Sequence, residues 1–237
     1  MSGSTLFGLS LCIAFAAVPA ISQEVAVGSV RTHIEGIEIP PIADSPFTAK
    51  VVVAWNKSLV GGGVTSRRYY TLVARDSQGR VRRETREFVP ADSAAEPPLR
   101  SFTILDPVSG TRTTCTKALM TCATSAFDAS LVLTQNAAAR SNASGENLGQ
   151  RTIEGLPATG MRETMSNVVG PRGSSRLAVS HTESWYSPDL HIDLSVTRTN
   201  PQSGVVTLNV TELVQGEPDS AWFAIPSGYT VNGGKTQ

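Results

Sequence analysis

The stretch Leu190–Val210, LHIDLSVTRTNPQSGVVTLNV, decides how the chain is to be read. Leu190, Ile192, Leu194 and Val196 alternate with His191, Asp193, Ser195 and Thr197. A period of two marks a strand with one face buried and the other in water. Asn200-Pro201-Gln202-Ser203-Gly204 then supplies turn formers, and Val206, Leu208 and Val210 resume the apolar face. Two strands joined by such a turn read as an antiparallel hairpin.

Working outward, the same grammar recurs. Phe47, Ala49, Val51, Val53 and Trp55 alternate with Thr48, Lys50 and Asn56, and Gly61-Gly62-Gly63 breaks the run. That glycine run lacks the lysine and helix start of a phosphate loop and reads as a turn. Tyr69–Arg75 and Val81–Phe88 flank Asp76-Ser77-Gln78-Gly79, and Phe102–Leu105 and Thr111–Cys115 flank Asp106–Gly110. Arg151–Ser166 carries β-formers interrupted by Gly155, Pro157 and Gly160, and Leu177–Tyr186 runs into Ser187-Pro188-Asp189. Pro218–Phe223 suits one helical turn. Strand–helix–strand alternation is missing, which disfavours a parallel sheet. About nine or ten short strands predict a mainly β fold. That fold is a curved antiparallel sheet, an open half-barrel or sandwich-like, with one or two short helices.

The 237 residues carry 20 basic and 20 acidic side chains, so no global charge draws the chain to nucleic acid. Leu6–Ile21 is apolar or small and no charge precedes Glu24. About sixteen such residues is short for a membrane span and fits a signal peptide. The small residues at Val18-Pro19-Ala20 and Ala20-Ile21-Ser22 place cleavage between Ala20 and Ser22. Cys12 follows Leu11 and so does not suggest lipidation. The expected organisation is a signal peptide over 1–22, an extended lead-in over 23–45, and a single β domain over 46–237. A flexible loop or frayed helix is inserted at about 129–147. Localisation is then periplasmic or extracellular.

After cleavage Cys115 and Cys122 remain, with six residues between them, an even pair that an oxidising compartment joins as a disulfide. It would close a short loop or staple a hairpin. No histidine lies near enough to complete a zinc set.

DSQGRVRRE (Asp76–Glu84), DPVSGTR (Asp106–Arg112), LGQRTIEGLPATGMRET (Leu148–Thr164), ESWYSPDL (Glu183–Leu190) and GEPDSAWFAIPSGYTV (Gly216–Val231) carry a resemblance. Their order and spacing resemble a family of uncharacterised exported proteins, most familiar from acidobacteria, which has no activity to lend. The closing third, with Asp219–Phe223 and Pro226-Ser227-Gly228, is more distantly similar to the lipoprotein-carrier and sigma-factor-regulator half-barrels of the bacterial envelope. That likeness implies an open sheet whose apolar face shelters acyl chains or a peptide. A lipid, lipoprotein or peptide is the expected partner, no cofactor is expected, and membrane association is expected to be transient only. The expected function is non-catalytic binding of a hydrophobic or peptidic ligand. The alternatives are a metal-assisted envelope hydrolase and a structural or adhesion module.

No G-x-S-x-G, Walker or dinucleotide motif occurs. His181, Glu183, His191 and Asp193 are the candidate metal ligands, on two arms of one hairpin. A three-residue loop at Ser187–Asp189 sets Glu183 opposite Asp193 and His181 opposite Ser195, on one face. A two-residue Pro188-Asp189 turn instead sets Trp185 against Ile192 and parts the two pairs, in better accord with the apolar pattern. Seven arginines (67, 68, 75, 80, 82, 83 and 86) outnumber three acids between Thr65 and Phe88. Arg80, Arg82 and Arg83 are therefore candidate ligand contacts, weighed against a solvated strand face. Asn56, Asn142 and Asn209 sit in N-x-S/T sequons.

Overall fold

The computed structural model describes residues 36–59, 61–142, 145–169 and 176–232. The expected signal peptide and most of the lead-in lie outside the described residues.

Among the described residues thirteen strands form one open sheet. They are β1 (Phe47–Ser58), β2 (Val64–Arg75), β3 (Val81–Arg86), β4 (Val89–Pro90), β5 (Leu99–Asp106), β6 (Thr111–Thr116), β7 (Thr121–Ala126), β8 (Glu146–Ile153), β9 (Leu156–Val169), β10 (Arg176–Ser187), β11 (Ile192–Asn200), β12 (Gly204–Gln215) and β13 (Thr230–Asn232). The order is β13-β7-β6-β5-β3-β2-β1-β12-β11-β10-β9-β8, with β4 beside β2. Only β13 and β7 pair in parallel among the described residues. Helix α1 (Ala129–Asn142) takes up most of the expected insertion, and a 3₁₀ turn spans Ser220–Phe223.

The sheet exceeds the expected strand count for local reasons. Arg151–Ser166 reads as one interrupted strand but is the hairpin β8–β9. Ile153 pairs with Leu156, and Glu154 and Gly155 both hold positive φ, 48° and 78°, as a two-residue hairpin turn requires. Strand β7, TCATSA, has no apolar alternation to announce it.

The registers line up side chains across the sheet. Tyr69, Val53, Leu208, Val196, Ser184 and Met161 form one row over β2, β1, β12, β11, β10 and β9. This face is called the inner face below. Its central strands carry the main core, including Phe47, Val51, Val53, Val73, Leu208 and Val210. The lead-in folds back to close that core: Ile37 and Ile39 pack into it, 4% and 2% exposed. Fully burying such a side chain stabilises by about 1.5–3 kcal/mol.

A second core lies on the opposite face. Phe102, Ile104, Cys115 and Cys122 pack against Phe223, Ile225 and Tyr229 of the closing segment. The Cys115–Cys122 disulfide joins directly opposed residues of β6 and β7, so it staples this hairpin.

Arg75 connects the pieces. It is 0% exposed, and its guanidinium donates to the carbonyls of Ser45 (2.9 Å), Pro40 (3.1 Å) and Leu190 (2.8 Å). Burial draws its pKa down to about 10, so it stays a cation at neutral pH. One side chain thus fastens the lead-in and the β10–β11 turn to the end of β2. The following Asp76, also 0% exposed, accepts from the Gln78 and Arg80 amides and pairs with Arg80 Nε at 2.5 Å.

Candidate functional site

The inner face is filled over β1, β2 and β12 but open toward β9–β11. There a groove of about 520 Å³ remains, on the scale of a small-ligand site. The alternation of strands explains its walls. Thr182, Ser184 and Tyr186 of β10 face in with Thr159, Met161 and Glu163 of β9, beside Val196 and Arg198 of β11. Where the central strands offer large aliphatics, β10 offers small hydroxyl side chains that cannot fill the space. Met161 and Val196 give the groove an apolar floor. Its polar lining residues include Glu38 of the lead-in, Asn136 of α1, and His191 and Asp193, and Pro40 lies beside Glu38.

The β10–β11 turn follows neither expected register. It spans four residues, Pro188–His191, so Ser187 pairs with Ile192 and Tyr186 with Asp193. A bulge then sets Trp185 opposite Ser195, leaving Leu194 as the extra residue. His191 takes a left-handed φ of 58°, a conformation that histidine tolerates better than most side chains. Leu190 is buried, and its carbonyl is taken by Arg75.

This geometry divides the four candidate metal ligands. His191 and Asp193 line the groove, and Tyr186 Oη lies 3.2 Å from His191 Nδ1. His181 and Glu183 point from the odd-numbered face of β10. There Glu183 pairs with Arg162 at 2.9 Å, and Thr164 Oγ1 lies 3.0 Å from His181 Nδ1. Among the described residues no group of three or more metal-ligating side chains converges.

The arginine candidates also separate. Arg80 pairs with Asp76 and lies 4.7 Å from the Phe223 ring centroid. Arg82 donates to the Trp222 carbonyl at 2.8 Å and stacks 4.4 Å from the Phe102 ring, where burial lowers its pKa. Both clamp the closing segment to the outer face. Arg83 points to the inner face, pairing loosely with Glu38 at 3.7 Å.

Sequence reasoning missed the even-numbered residues of β10 and the odd-numbered residues of β9. Their signal was present: Ser180, Thr182 and Ser184 are small and polar at every second position. Only the sheet order shows that they face the core side.

No protein-family model and no curated protein sequence matches the chain. Solved structures of similar fold include an uncharacterized conserved protein from Thermus thermophilus, 13% identical. That alignment covers 80% of this chain and 90% of that one, with a TM-score of 0.43. The MucA/MucB complex of Pseudomonas aeruginosa matches at 16% identity over 78% of this chain and 57% of that one, TM-score 0.38. LprF from Mycobacterium bovis matches at 14% over 78% and 90%, TM-score 0.35. At these values the likenesses carry no argument about this chain and lend it no residue role.

Proposed function

We propose that the groove over β9–β11 binds an apolar chain, from a lipid or a peptide, without chemical transformation. The observation that carries this reading is the groove itself. It combines room, an apolar floor at Met161 and Val196, and a few polar groups at the rim, the usual composition of a site for an amphipathic ligand. Tyr186, His191 and Arg198 stand where a polar end group would emerge.

The reading takes the chain to be exported, with its signal peptide removed between Ala20 and Ser22. The Cys115–Cys122 disulfide supports an oxidising compartment. Membership of the exported family that the motifs resemble belongs to the same proposal. Several of the quoted stretches meet at one corner: Asp76 and Arg80 hold the β2–β3 turn, Glu217 accepts from the Ser77 amide, and Leu190 caps Arg75.

The test is titration of the mature protein with a fluorescent fatty acid, alongside solvent extraction of the purified protein and mass spectrometry. Saturable binding is expected, weakened at least about tenfold by Ser184→Trp, which fills the groove. Absence of both saturable binding and co-purifying lipid or peptide would overturn the proposal.

A further inference from the structure

The inner face bears a second, smaller cleft of about 240 Å³ on the other side of the lead-in, over β3, β5 and β6. Its chemistry differs from that of the groove. Register places Arg83, Thr103 and Thr114 in one row across the three strands, and Arg112 lies in the neighbouring row opposite Leu105. The two threonine hydroxyls are 3.3 Å apart, and the Arg112 guanidinium is steadied 5.4 Å from the Phe127 ring centroid. Among the described residues that line this cleft, Glu38 alone is acidic.

Glu38 is also where the two cavities meet, since it lines both. Its contact with Arg83 is long, 3.7 Å, between side chains 54% and 41% exposed. Arg162, by comparison, holds Glu146 at 2.7 Å and Glu183 at 2.9 Å. A loose, solvated pair of this kind contributes little stability and is readily exchanged. The arrangement is two guanidinium groups and two hydroxyls, with a carboxylate of the chain itself at the edge.

We propose that this cleft is an oxyanion site, taking a phosphate group, with Glu38 as an internal competitor that the incoming anion displaces from Arg83. Paired guanidinium forks with hydroxyl donors recognise tetrahedral oxyanions by charge-assisted hydrogen bonds. The cleft has room for a phosphate and its nearest waters and none for a whole lipid. The phosphate can therefore be a free ion or the headgroup of a lipid whose chains lie outside. The inference does not depend on what the groove binds.

The experiment is calorimetric titration of the mature protein with inorganic phosphate at constant ionic strength, repeated with dihexanoyl phosphatidic acid below its micellar concentration. Phosphate is expected to bind at one site. Arg83→Gln and Arg112→Gln should each weaken it about tenfold, and Glu38→Gln should tighten it several-fold. Arg83→Lys should restore only part of the loss, because an ammonium lacks the planar fork. All these side chains are solvent-accessible, so circular dichroism should be unchanged.

Equal affinities for both probes identify a free oxyanion as the ligand, and tighter phosphatidic acid binding with the same arginine dependence identifies a headgroup. The proposal is overturned if phosphate fails to bind even the Glu38→Gln variant, or if binding survives Arg83→Gln combined with Arg112→Gln. Phosphatidic acid binding that Ser184→Trp abolishes and Arg83→Gln does not, with no binding of inorganic phosphate, would assign the ligand to the groove and overturn the proposal too.

Discussion

The two wings of the sheet solve the same problem on opposite faces. On β5–β7 the outer face is sealed: Phe223, Ile225 and Tyr229 cover Phe102, Ile104 and the disulfide, and the inner face presents Thr103, Thr114 and Arg112 beside Leu105. On β9–β11 the inner face keeps a groove. The opposite face of that wing is closed locally, with Trp185 over Gly160 and Arg151 stacked 3.8 Å from the Trp185 ring centroid. A strand has two faces. Among the described residues the closing segment covers the outer face of β5–β7, and the lead-in lies on the inner face, where Glu38 lines both cavities. What stays uncovered is where ligands have room.

The wings should therefore fail separately. The largest effect is expected from Arg75→Leu, which leaves three carbonyls, two of them buried, without their donor, a loss of about 3–5 kcal/mol in urea denaturation. Hydrogen exchange should show the β10–β11 turn and the lead-in loosened, with β6–β7 still protected. Uniform loss of protection would mean that the wings are not separable.

Next is the combined Cys115→Ala and Cys122→Ala change. Closing a loop of this length constrains the unfolded chain by about 2–3 kcal/mol. Fatty-acid binding in the groove should survive it unchanged. Loss of binding at the far wing would break the comparison.

Gly160→Ala tests the groove wing from behind. An added Cβ meets the Trp185 ring at 2.7 Å and Leu148 Cβ at 2.9 Å, so a cost of about 1–2 kcal/mol is expected. Trp185 fluorescence should shift, and the disulfide wing should keep its exchange protection. An unshifted spectrum would argue against the close approach.

The smallest effect belongs to Asp106 in the β5–β6 turn. Partial burial raises its pKa, but hydrogen bonds from Ser109 and Val108 outweigh that and hold it below the ordinary carboxylate value. With the folded pKa depressed, its stabilisation is present above the ordinary carboxylate pKa and is lost as pH falls through the depressed one. Thermal melts of Asp106→Asn should sit slightly below wild type at pH 7 and converge with it in acid. A gap that persists at low pH would locate the effect elsewhere.

Alternation at Phe47–Trp55 and Leu190–Val210, together with the turn formers, made the strands legible. It also announced the mainly β class, and the cysteine spacing suggested the stapled hairpin. The β8–β9 hairpin was less legible, because its Glu154-Gly155 turn sits inside a run broken by other glycines and a proline. The groove was legible only at its edge, where His191 and Asp193 stood out. Thr159, Met161, Thr182 and Ser184 are ordinary residues, whose meaning depends on facing the core side of an incompletely filled sheet.

The amino-acid order by itself determined the period of the strongly alternating strands and most of the places where the chain reverses, because both follow from neighbours a few residues apart. Tertiary structure alone decided which face each wing buries, the four-residue turn at Pro188–His191, and the return of Ile37 and Ile39 onto the core. Those outcomes depend on distant partners. The hydrogen bond from Arg75 to the Leu190 carbonyl spans 115 residues of sequence, and no local pattern encodes a contact of that range.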